Sequence, residues 1–168
     1  MKSLLATALA VLGSVAPAPA VAGAAHDPGP MRTVHALIDG WRTANFEQAS
    51  KTFAPQFRLL TLRRSETGPD VQIDERDHLL GSMRTLSAGV WDVRLGKAIE
   101  LQDGSGVATV WAPYTFYLNG RKSHCGIETY SLYRLAEGWR IVTFADKHLW
   151  DGTEAKCADR PALKARAG

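Results

Sequence analysis

The chain has 168 residues, 45% of them hydrophobic, two cysteines and a formal net charge of +3. That length suits one domain with its own core. The excess positive charge sits outside the body, on Lys2 and on Lys156, Arg160, Lys164 and Arg166, which excludes a broad electrostatic footprint for nucleic acid.

At the start, Lys2 precedes an apolar run from Leu4 to Ala16 and then the small residues Ala20-Val21-Ala22. This is the order of a secretory signal peptide. The run is too short to span a bilayer, which needs ~20 apolar residues. We therefore expect residues 1–22 to be removed, residues 23–30 to be a linker, residues 31–150 to be the domain and residues 151–168 a tail. The mature chain is expected in the periplasm or outside the cell, away from the membrane. In that oxidising setting Cys125 and Cys157 are expected to bridge, the alternative being two separate thiols.

Asp27-Pro28-Gly29-Pro30 breaks the chain, and Pro30 suits the first turn of a helix. Met31, Val34, Leu37, Ile38 and Trp41 then recur at helical spacing. Gly40 weakens that helix and admits a close neighbour. Asn45 with Gln48 resembles a capping box, opening a short helix that carries Phe46, Ala49 and Phe53 and ends at Pro55. Phe57–Leu62 reads as a strand, and Arg63–Gln72, with Gly68-Pro69, as a loop. Asp74 is expected to cap a third helix bearing Leu79, Leu80, Met83 and Leu86.

Trp91, Val93 and Leu95 alternate with Asp92 and Arg94 as in a half-buried strand. Ala98–Leu101 extends or follows it. Two hairpins come next: Asn119-Gly120 is a strong type I′ turn signal, and Ala136-Glu137-Gly138 suits a three-residue connection closed by glycine. Helices followed by an antiparallel meander give an α+β layout.

Ile38-Asp39-Gly40-Trp41, Phe53-Ala54-Pro55 and Gly138-Trp139-Arg140-Ile141, with the segment WAPYTFYLNGRKSHCGIETYSLYRL, resemble the nuclear transport factor 2-like superfamily. The resemblance runs from Met31 to Leu149. It implies a bent antiparallel sheet wrapped around about three helices, a cone with a pocket on its concave side. Ketosteroid isomerase, scytalone dehydratase and polyketide cyclases use that pocket without metal or organic cofactor. Other members only bind ligands or partner proteins. An acidic residue of scytalone dehydratase implies that Asp39 points into the pocket mouth.

The turns predict a register. Closing Asn119-Gly120 pairs Leu118 with Arg121 and so sets Trp111 opposite Glu128 and Pro113 opposite Gly126. Closing the second turn pairs Leu135 with Trp139 and so sets Glu128 opposite Asp146, Tyr130 opposite Phe144 and Gly126 opposite His148. Trp111, Glu128 and Asp146 then form one row, with His124 and His148 toward one end of that face and Tyr130 and Phe144 toward the other. The opposite face receives the small residues Ala108, Val110, Ala112, Thr129 and Ser131. Tyr114, Phe116 and Tyr117 read as core and pocket wall. Cys125 falls opposite Leu149, so the bridge to Cys157 needs the chain to fold back near Asp151-Gly152.

Two carboxylates directly opposite are unfavourable unless compensated. Either the face is wet, or Arg58 or Arg94 neutralises them, or one holds a proton and serves in acid–base chemistry. Asp146 and His124 are the candidate catalytic residues. Trp111, Glu128, Tyr130, Phe144, His148 and Asp39 are the candidate binding residues. With His26, His35 and His78 spread apart, no metal site is expected. No cofactor is expected either. The readings are a small-molecule-binding domain for a hydrophobic or aromatic ligand, a cofactor-independent isomerase, dehydratase or cyclase, and a dimerisation or interaction module using the small-residue face.

Overall fold

Residues 29–148 are described by the computed structural model. The expected signal segment, Cys157 and the tail lie outside the described residues.

α1 (Pro30–Arg42) buries Val34, Leu37, Ile38 and Trp41 along one stripe, as the spacing predicts. A Cβ added to Gly40 would sit 2.8 Å from the Ala49 Cβ, so the glycine is what lets α2 (Phe46–Ser50) cross α1 in backbone contact. The Asn45 side chain caps α2 by accepting from the Gln48 N–H at 3.0 Å. The Asn45 backbone N–H goes to the Gly40 carbonyl at 2.8 Å rather than to Gln48, whose Oε1 accepts only from the Asn45 side-chain amide at 3.5 Å. The Gln48 amide donates to the Ala36 carbonyl at 2.9 Å and ties the two helices together.

β1 (Phe53–Ser65) starts where a longer second helix was expected, and Pro55 lies inside it. Pairing there is irregular between Phe53 and Arg58, where a residue without an N–H is tolerated. The expected loop Arg63–Gln72 is instead a hairpin. β1 turns at Glu66-Thr67 into β2 (Gly68–Glu75), an antiparallel edge strand that is mostly exposed and so carries no buried stripe to read. α3 (Arg76–Arg84) follows directly and buries Leu79, Leu80 and Met83. Asp74 belongs to β2 rather than to the cap position, which Glu75 occupies without a side-chain bond.

β3 (Trp91–Leu95) and β4 (Ile99–Gln102) pair in turn with the same edge of β5 (Val107–Leu118). β6 (Arg121–Leu135) and β7 (Gly138–His148) complete an open seven-stranded sheet of order β2-β1-β7-β6-β5-β3. β1 runs parallel to β7, so the sheet is mixed and not wholly antiparallel. Pro113 lies level with the gap between β3 and β4. The Gly96 N–H donates to its carbonyl at 2.7 Å there, and no strand needs its missing N–H. The helices cover one face of the sheet: α1 packs on β3, β5 and β7, and α3 on β1. Trp41, Phe53, Leu80, Met83 and Ile141 are all buried in this α+β core.

Candidate functional site

Both hairpin turns form, but each register depends on a bulge. Asn119 and Gly120 have φ of 51° and 74°, the left-handed pair that a type I′ turn requires. Leu118 pairs with Arg121 and Tyr117 with Lys122, but Phe116 pairs with His124, so Ser123 is an extra residue. Everything beyond it shifts by one. Trp111 therefore faces Thr129 on the outer side of the sheet, where it is 38% exposed, and Ala112 takes its place opposite Glu128. Trp111 is not part of the site. Ala108, Val110 and Ala112 turn inward beneath the helices, so no small-residue outer face exists along β5.

The second turn closes one residue tighter than expected, with Leu135 paired to Gly138. Val142 is then an extra residue between Ile141 and Thr143. It restores the predicted pairs Tyr130 with Phe144, Glu128 with Asp146 and Gly126 with His148. Two errors of one residue cancel, and the acidic pair lands where alternation places it.

On the helix-covered face, Asp146 is the centre of a short-bonded group. The Tyr114 hydroxyl donates to its Oδ1 at 2.6 Å, and His148 Nε2 lies 2.6 Å from its Oδ2. An oxygen that accepts from a hydroxyl and another that accepts from an imidazole N–H give the acceptor pattern of a carboxylate. The His124 ring stacks on His148 with centroids 4.1 Å apart and meets the edge of Tyr114. Beneath them Glu128 is 2% exposed, and its Oε2 accepts the Tyr130 hydroxyl at 2.6 Å. Tyr130 itself stacks on Phe144 with centroids 4.7 Å apart and is fully buried, supporting the site from below.

These surroundings push neighbouring groups in opposite directions. Burial raises the Glu128 carboxyl to about 8, with the Asp146 charge adding to it against the Tyr130 bond, so Glu128 holds its proton at neutral pH. Burial and then the adjacent His148 lower His124 to about 4. His124 is thus a neutral hydrogen-bonding ring and a weak base at neutral pH. Burial first, and then the Asp146 charge, raise the Tyr114 hydroxyl far above the ordinary range, which keeps it a donor. The expected neutralising cations are elsewhere: Arg58 pairs with Glu75 at 3.3 Å and Arg94 with Asp92 at 2.8 Å.

The group forms the floor of a cavity of about 250 Å³. Its walls are Trp41, Trp91, Phe116 and Phe144 with Leu59 and Leu79, and Thr61 and Arg63 of β1 complete one side. A cavity of ~150 Å³ holds benzene, so this one fits a single ring with a short substituent. Asp39 is not at its mouth. It bonds Arg42 at 2.7 Å and faces a separate, wider groove between α1, α2 and the β6–β7 turn. Tyr114 is in the cavity wall as read from the sequence, but alternation alone does not show its bond to Asp146. The signal was Gly126 in the middle of β6, since a glycine inside a strand marks a close approach. Among the described residues no group of three or more His, Cys, Asp or Glu is placed to hold a metal ion. No helix among them is long and apolar enough to cross a membrane.

A mixed open sheet with three helices on one face and an aromatic-walled cavity between them is the nuclear transport factor 2-like, or cystatin-like, fold. The chain is similar to a cystatin-like protein of unknown function from Nostoc punctiforme, with TM-score 0.55 and 12% identity over 72% of this chain and 89% of that one. It is similar to a nuclear transport factor 2-like protein of unknown function in nutrient uptake from Rhodospirillum rubrum, with TM-score 0.55 and 15% identity over 71% and 98%. A protein of the same fold from Novosphingobium aromaticivorans gives TM-score 0.55 and 17% identity over 74% and 81%. No protein-family model and no curated protein matches the sequence.

Proposed function

We propose that this chain is an exported enzyme that binds a small, mostly apolar molecule and moves a proton on it with its own side chains, as an isomerase, dehydratase or cyclase does. The observation that carries this reading is Asp146, a carboxylate held at 2.6 Å on each oxygen by Tyr114 and His148. Directly across the strands stands Glu128, a second carboxyl driven to keep its proton. A carboxylate beside a carboxyl that keeps its proton supplies the base and acid of general acid–base catalysis. Asp146 takes a proton from a carbon beside a polarised group. Glu128 is the donor for the oxygen on which charge develops, and Tyr114, whose one O–H proton is engaged by Asp146, holds that base in place. The aromatic walls exclude water and orient the substrate's apolar body.

The test is proton exchange in deuterated water, followed by NMR, on a panel of one-ring ketones, enones and β-hydroxy compounds. Enzyme-dependent deuterium incorporation supports the reading. Binding of these compounds with no exchange of any of them leaves a ligand-binding domain and removes the enzyme. Export is supported by the Lys2, Leu4–Ala16 and Ala20-Val21-Ala22 pattern, and the Cys125–Cys157 bridge by that compartment. Mass measurement of the chain recovered from its native cell envelope should find residues 1–22 removed and no free thiol. A full-length chain, or two free thiols, contradicts this.

A homodimer is the second reading. Ile99, Leu101, Val107, Trp111 and Tyr133 are exposed together on the outer face, and an apolar strip of that kind favours self-association. Sedimentation of wild-type and Trp111→Glu chains decides it: a dimer that the substitution dissociates supports it, and a wild-type monomer removes it.

A further inference from the structure

We propose that the cavity's ligands are small carboxylic acids, anchored at the mouth by Arg63 with the reactive end at Asp146. This names the substrate class of the proton-transfer site and rests on that reading for the inward end. β1 runs parallel to β7 with Thr61 beside Asp146 and Leu62 beside Lys147. Alternation therefore puts Leu59, Thr61 and Arg63 on the cavity side, in a row that ends one step past Asp146. Thr61 is buried and Arg63 exposed, so the row climbs from the floor to the rim.

Arg63 is the one lysine or arginine among the described residues that line this cavity. It has no ion pair among the described residues. The other cations beside carboxylates are engaged: Arg42 with Asp39, Lys51 with Glu47, Arg58 with Glu75, Arg94 with Asp92. Asp70, opposite Arg63 in the β1–β2 register, is exposed and forms no bond with it. An unengaged guanidinium at the rim of an apolar cavity is a fork for a planar carboxylate.

The floor fixes the orientation. Asp146 is anionic and repels a second carboxylate, so the acid group stays outward at Arg63. The ring or short chain lies between Trp41, Trp91, Phe116 and Phe144, and the atom to be deprotonated reaches Asp146. One ring with a short unsaturated or hydroxylated side chain ending in a carboxylate matches the volume and the polarity.

The experiment measures binding of phenylacetate and cinnamate against their neutral amides, by calorimetry, to wild type, Arg63→Ala and Arg63→Lys. Wild type should prefer each acid about tenfold, the scale of one charge-assisted hydrogen bond at a partly exposed site. Arg63→Ala should abolish that preference without weakening the amides, and Arg63→Lys should restore part of it. Equal affinity of wild type for acid and amide, binding of neither, or a preference kept in Arg63→Ala overturns the inference. Deuterium exchange on the one-ring ketones, enones and β-hydroxy compounds of the proton-transfer test, each with and without a carboxylate on its ring, separates the two readings. Acids that bind through Arg63 but never exchange remove the chemistry and leave the substrate class. Exchange of neutral compounds with no preference for acids does the reverse.

Discussion

Tyr114 reaches Asp146 across an intervening strand, its hydroxyl 2.6 Å from Oδ1, because the residue between them is Gly126. A Cβ at Gly126 would lie 2.7 Å from the Tyr114 ring and against the Lys147 carbonyl. Gly126→Ala should therefore displace Tyr114 and cost about 2 kcal/mol or more in stability, the range of an overpacked core. Tyr114→Phe keeps the ring and removes only the bond, costing about 1.5 kcal/mol. Chemical denaturation of both variants checks the order. A Gly126→Ala protein as stable as wild type contradicts the close approach.

Glu128 predicts how stability depends on pH. Its folded value of about 8 lies above the 4.5 of an exposed glutamate, so between these only the folded state holds the proton, and raising pH favours unfolding. His124 runs the other way: its folded value of about 4 lies below 6.5, and its contribution is lost as pH falls through that window. The two oppose each other between 4.5 and 6.5, and above 6.5 the Glu128 contribution is no longer offset by His124. Wild type should lose stability from pH 6.5 to 8 by up to about 1.4 kcal/mol per unit. Glu128→Gln should abolish that loss. Denaturation midpoints across this range are the readout, and parallel curves for the two proteins contradict it.

Gly40 makes a prediction at the helix crossing. With Ala49 2.8 Å from the position of an added Cβ, Gly40→Ala should push α2 from α1 and lower stability by about 1–3 kcal/mol, despite alanine's better helix propensity. A stabilised variant in thermal unfolding contradicts the contact.

Much of this was legible in the sequence, and the losses have physical causes. Glu128, Tyr130, Phe144, Asp146 and His148 do share one face, because alternation holds along each strand and the tighter second turn is offset by the extra residue Val142. Trp111 was misplaced because the bulge at Ser123 has no compositional mark. A serine there reads like any strand residue, and one extra residue reverses the face of all that follows. Gly126 held the correction, since only the shifted register sets it against a large ring that needs the room. β2 reads as a loop because Gly68-Pro69 marks a turn and its apolar pair, Val71 and Ile73, is too short a run to stand out; both side chains point to solvent on this edge strand. Asp39 was carried over by resemblance, and its own neighbour Arg42 already offered it a partner one helical turn away.

The direct test of the central claim is Asp146→Asn, measured as a split between proton exchange and affinity on one exchanging ligand. Asparagine can keep hydrogen bonds to both Tyr114 and His148, so folding and binding should change little, affinity by less than about fivefold. Exchange should fall by about 10²–10⁴-fold, the contribution of a positioned general base. Exchange that persists at the wild-type rate in Asp146→Asn would contradict Asp146 as the base.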